Sequence, residues 1–132
     1  MEQGCSVVYL QGCEGLRRIR IAMLQINLFA KDLVDGICGA LRDQVISIIV
    51  YGSVVRGTNT EESDVDVAVI VKGNLDRSVE DALSDAVVEL NLKFDKVFSV
   101  IDIDESAYRK YMETSPFYSN VRKEGVVLWK AA

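Results

Sequence analysis

Two short runs of β-branched residues constrain this chain more than anything else in it. The first is Val-Ile-Ser-Ile-Ile-Val-Tyr at 45–51, and the second is Asp-Val-Asp-Val-Ala-Val-Ile-Val at 64–71. Runs of this length and composition pack as buried strands. In the second, the period of two sets Val65, Val67, Val69 and Val71 on one face and Asp64, Asp66, Ala68 and Ile70 on the other. The first run stops at Gly52-Ser53 and the second begins with a pair of acids. Apart from Ser47, the two strands carry polar residues only at their ends, which is where function has to be sought.

The segments around them set the fold class. Residues 24–43 place Ile26, Phe29, Leu33, Val34, Ile37 and Leu41 on one helical face. Arg56 and Gly57 belong to a turn or short helix, and 58–63 is a polar loop. A second helix is predicted over 75–92, with Ser78-Val79-Glu80-Asp81 resembling a capping box. A third strand is expected over 94–103, then a helical stretch to about Glu113, a break at Pro116, a short helix over 117–123 and a last strand over 126–129. The pattern is α/β (α+β), a small mixed sheet with helices packed on it. At 132 residues there is room for one domain, assigned to 23–132. The glycine-interrupted residues 1–22, with a possible short strand at 7–10, read as an N-terminal extension.

Composition removes several classes of chemistry. The chain has no histidine, which excludes Ser-His-Asp and Cys-His catalysis and histidine-based metal sites. Its three cysteines, Cys5, Cys13 and Cys38, match no zinc spacing and fit a reduced, cytoplasmic chain. A net charge of −5 disfavours an extended grip on nucleic acid, and no apolar run approaches the roughly 18 residues that cross a bilayer. Acid–base or metal chemistry therefore rests on carboxylates.

Gly52-Ser53 at a strand end can seat a phosphate, since glycine lets the backbone approach a ligand and the following turn offers free N–H groups. Asp64 and Asp66, about 6.5–7 Å apart along one strand face, repel each other unless a cation sits between them. An oxygen-only site of this kind suits Mg²⁺ or Mn²⁺. Taken singly, a Gly-Ser pair is usually a turn and an Asp-x-Asp usually a solvated face.

Together they are far more specific. Gly52-Ser53, the ten residues 54–63, then Asp64-Val65-Asp66 resembles the signature of the DNA polymerase β-like nucleotidyltransferases. The likeness runs over about residues 24–103 and is nearest to the minimal nucleotidyltransferases. The segment Ser115-Pro116-Phe117-Tyr118-Ser119-Asn120-Val121-Arg122-Lys123-Glu124-Gly125-Val126 is similar to the C-terminal part of one group of them. The resemblance implies a nucleotidyltransferase that moves a nucleoside monophosphate, AMP from ATP or another nucleoside triphosphate, to a hydroxyl. The acceptor it implies lies on a protein such as a helical HEPN-type toxin, with this chain as antitoxin and a homo-oligomer possible. Asp64 and Asp66 would be catalytic metal ligands, and Gly52, Ser53 and Arg56 nucleotide-binding. The family's third carboxylate falls to Asp95 if 95, 97, 99 and 101 share a strand face toward the metals. If Ser99 takes that place the third acid is missing, and Asp102 has the opposite parity. Two alternatives stand beside this reading: a non-catalytic binding module with a vestigial site, and a nucleotidyltransferase acting on a small aminoglycoside-like compound.

Overall fold

A computed structural model describes residues 16–57 and 63–131, with side chains from Leu24 onward. The elements run α1 (Leu16–Leu41), a one-turn 3-10 helix (Arg42–Gln44), β1 (Val45–Tyr51), α2 (Ser53–Arg56), β2 (Val65–Val71), α3 (Arg77–Phe94), β3 (Phe98–Asp104), α4 (Glu105–Tyr111), α5 (Pro116–Glu124) and β4 (Val126–Lys130). The four strands form one mixed sheet in the order β3-β2-β1-β4. β1 is antiparallel to both its neighbours, and β2 is parallel to β3.

Each face of the sheet has its own apolar layer. On one side Ile26, Phe29, Leu33 and Ile37 of α1, with Leu83 and Leu90 of α3, cover Ile48, Val50, Val67 and Val69. Phe29 meets Phe98 edge-on with ring centroids 5.1 Å apart, tying α1 to the start of β3. On the other side Val121 of α5 and Tyr108 of α4 lie over Ile49, Ala68, Ile70 and Ile103. The valine alternation read from 64–71 is thus resolved: the odd positions face α1 and α3, the even ones α4 and α5. Trp129 is buried, as packing predicts.

Three boundaries differ from the sequence reading. α1 begins at Leu16 rather than near Leu24, so the proposed division at 22/23 falls inside a helix. α3 is capped by Asp76, whose carboxylate accepts from the Val79 N–H at 3.0 Å; the capping residue lies two positions before the expected Ser78. The same helix continues to Phe94, and Asp95 closes it in the left-handed conformation (φ 52°). The strand expected from Phe94 therefore starts at Phe98. The short strand proposed at 7–10, and the loop at 58–63 apart from Ser63, lie outside the described residues. No helix among the described residues is long and apolar enough to cross a membrane.

Candidate active site

The antiparallel pairing of β1 and β2 sets the end of one strand against the start of the other, with Tyr51 opposite Asp66. Gly52, the next residue, adopts φ 83° and ψ −152°, a conformation essentially reserved for glycine. A methyl group here would collide with Oδ2 of Asp66 and lie 3.2 Å from its Cγ. The Asp66 carboxylate consequently rests against the bare Cα of Gly52, so the Gly-Ser turn and the acid pair lie side by side. Ser53 opens α2, whose Val55 and Arg56 N–H groups both donate to the Gly52 carbonyl at 3.1 Å. Val54 and Val55 are buried and anchor the turn, and Gly57 ends it at φ 76°. Gly52 brings no capping side chain, and the first N–H groups of a helical turn are those that an anion can meet.

Asp64 stands exposed just before β2, and Asp66 is half-buried as the strand's second residue. Burial, and after it the Asp64 charge, push the Asp66 carboxyl above the usual carboxylate range, while Arg56 pulls it back. Burial and the Asp66 charge likewise raise the Tyr51 phenol. A carboxylate whose ionised form is disfavoured by burial and by a second acid beside it belongs to a donor set that a hard divalent cation satisfies, so the residues present fit such an ion.

The remaining expected residues are distributed unevenly. Asp95 is not on the strand face assigned to it. It caps α3, because the helix persists through Phe94, and three residues separate it from Ser99. Ser99 is the β3 partner of Asp66. Asp102 pairs with Val69 on the opposite face, as its parity predicts. Among the described residues no cluster of three acidic or thiol side chains could hold a metal. Arg56 reaches the site electrostatically, and its guanidinium also pairs with Glu124 of α5 at 3.1 Å.

Sequence reasoning missed the aromatic border. Tyr51 packs edge-on against the exposed Phe117, ring centroids 5.7 Å apart, and Phe117 continues into Tyr118. The segment 115–126 is family-like in sequence, yet nothing in its spacing shows that α5 folds back beside the end of β1.

Comparison with known proteins settles the lineage. A family model described as nucleotidyltransferase domain matches residues 34–128. The chain belongs to this family. A Methanocaldococcus jannaschii protein provisionally named a protein adenylyltransferase is 34% identical over 99 residues, which cover 75% of this chain and 93% of that one. A second such protein from the same organism is 31% identical over 103 residues, covering 78% and 98%. The chain is therefore a minimal nucleotidyltransferase, and an enzyme by class. Among solved structures, a toxin–antitoxin complex crystallised with AMP-PNP superposes with a TM-score of 0.52 at 20% identity, over 77% of this chain and 73% of that one. A mutant MntA–HpeT toxin–antitoxin complex superposes at 0.51 and 18% identity, with the same coverage. At these identities the likeness shows the shared fold, a mixed sheet with helices on it.

Proposed function

We propose that this nucleotidyltransferase transfers AMP from ATP to a hydroxyl group on a partner protein, and that it serves as the antitoxin to a helical HEPN-type toxin. The observation that carries the reading is the contact of Asp66 with Gly52, which joins a phosphate seat to a carboxylate pair in one site. The adenylyltransferase names of relatives at 34% and 31% identity favour ATP and a protein acceptor. The toxin–antitoxin assemblies among proteins of this fold supply the partner class.

In this mechanism the backbone at Ser53 and Val54 holds the β- and γ-phosphates at the start of α2. Asp64 and Asp66 would hold Mg²⁺ or Mn²⁺, which would supply charge neutralisation at the phosphates. Arg56, positioned by Glu124, adds a guanidinium facing the same oxygens. The acceptor oxygen bonds to the α-phosphorus as the bond to pyrophosphate breaks. Because Ser99 rather than Asp95 stands beside Asp66, no carboxylate of β3 takes the acceptor proton, and it passes to water or to a base on the partner. Fixed charge and orientation carry most of the rate enhancement in such a site.

The test is to incubate the chain with α-labelled ATP, Mg²⁺ and the protein from the adjacent reading frame. Label should appear on that partner, on a side-chain hydroxyl, and should vanish with Asp64→Asn. Neutralisation of the partner that leaves it unlabelled and survives Asp64→Asn would overturn the proposal.

A further inference from the structure

The parallel register between β2 and β3 limits the number of acidic ligands at this site. Asp66 lies beside Ser99, on strands about 4.8 Å apart. The acids on and just before β3 lie elsewhere: Asp95 ends α3, Asp102 faces the other side of the sheet, and the Asp104 carboxylate accepts from the Ala107 N–H at the start of α4. Among the described residues two carboxylates converge, then, and the third neighbouring position carries a neutral, half-buried hydroxyl.

Two divalent ions in a phosphoryl-transfer site sit about 3.5–4 Å apart. Holding them there requires carboxylates that bridge both ions and at least one more for the ion on the acceptor side. Mg²⁺ sheds its water reluctantly and takes near-octahedral oxygen ligands. The ion that accompanies the nucleotide draws most of its ligands from phosphate oxygens, so Asp64 and Asp66 suffice for it. An acceptor-side ion has only an oxygen of the reacting α-phosphate to draw on, and a serine hydroxyl, uncharged, does not replace a carboxylate. Resting on the nucleotide placement proposed above, we infer that this site holds one divalent cation per bound nucleotide, the one that arrives with the triphosphate, and that Ser99 sets that number.

The experiment counts metal rather than turnover. The full chain is equilibrated with a non-hydrolysable ATP analogue and Mn²⁺, separated from free ligand, and assayed for Mn²⁺ per bound analogue. Electron paramagnetic resonance of the same sample distinguishes an isolated ion from a spin-coupled pair. The native chain and Ser99→Ala should give a ratio of one and the spectrum of an isolated ion. Ser99→Asp, which returns a carboxylate to the position beside Asp66, should give a ratio of two and a coupled spectrum. A ratio of two, or a coupled spectrum, in the native chain overturns the inference and needs no variant to do so. So does a Ser99→Asp protein that melts cooperatively, retains the analogue and still binds a single ion. A native chain that retains no analogue at all overturns the nucleotide reading itself, and this inference with it.

Discussion

Gly52→Ala tests whether the phosphate seat and the acid pair are one structure. The added methyl introduces two penalties. A non-glycine residue held at φ 83° and ψ −152° costs about 1–3 kcal/mol of backbone strain. The collision with Oδ2 of Asp66, with Cγ at 3.2 Å and Cβ at 3.4 Å, adds about 1–3 kcal/mol of overpacking. The sum, about 2–6 kcal/mol, corresponds to a fall of about 8–24 °C in melting temperature for a domain of this size. The partition follows from a double-mutant cycle with Asp66→Ala, followed by denaturant unfolding monitored by circular dichroism. Removing the carboxylate deletes the atoms that the methyl strikes, so Gly52→Ala in that background should cost only the strain, leaving a coupling of about 1–3 kcal/mol. In the single variant Asp66 has to turn aside, and Mg²⁺–ATP affinity should drop together with stability. A cost under about 0.5 kcal/mol, or the same cost in both backgrounds, would show that the carboxylate does not rest on Gly52.

Three further outcomes are expected. Asp66→Asn should raise the melting temperature of the metal-free chain, because burial and the Asp64 charge both oppose the carboxylate, while abolishing the stabilisation conferred by Mg²⁺–ATP; differential scanning fluorimetry with and without ligand reads both, and a metal-free protein that melts lower contradicts the repulsion. At the start of α3, the Ser78 hydroxyl and then the Val79 N–H hold the Asp76 carboxyl below its usual range. Its contribution is therefore present above the unfolded-state pKa of about 3.9 and is lost as pH falls through the lower folded value. Amide exchange in the first turn of α3 should accelerate over that acid interval in the native chain and show no such step in Asp76→Ala. A truncation beginning at Met23 should keep a cooperative melt, since the α1 residues in the described core, Ile26 through Leu41, all follow it; a non-cooperative melt would make residues 1–22 part of the fold.

What was legible in the sequence depended on whether the signal was periodic or topological. The alternation over 64–71 assigns every side chain of β2 to its face, because a strand buried on both sides cannot slip by one residue without exchanging its layers. The Gly-Ser and Asp-x-Asp elements could be joined because their spacing is itself informative. Asp95 shows where this stops. Phe94, Val97 and Phe98 fit the end of an amphipathic helix and the start of a strand equally well, and the helix won: Phe94 packs against Phe29 and Phe98, and the left-handed Asp95, with its N–H donating to the Asn91 carbonyl, makes the exit. A shift of that boundary by a few residues moved an acid from the proposed metal face to a helix end. The ion pair of Arg56 with Glu124, residues 68 apart in the chain, has no local signal at all.

The sheet's mixed character explains why the site lies where it does. An antiparallel neighbour brings the end of β1 to the start of β2, and a parallel neighbour brings the start of β3 to the same edge. Three strand termini thus converge, and each contributes what its position permits: β1 a glycine where the backbone must be approached, β2 an acid pair not yet enclosed by the valine core, β3 whatever residue the register delivers. The first two are tightly constrained, since Gly52 and Asp66 occupy each other's space. The third is not, because a residue at the start of an edge strand can change without disturbing either apolar layer. Substitution at position 99 therefore alters the charge beside Asp66 at little cost to the fold, while the contact of Asp66 with Gly52 stays fixed.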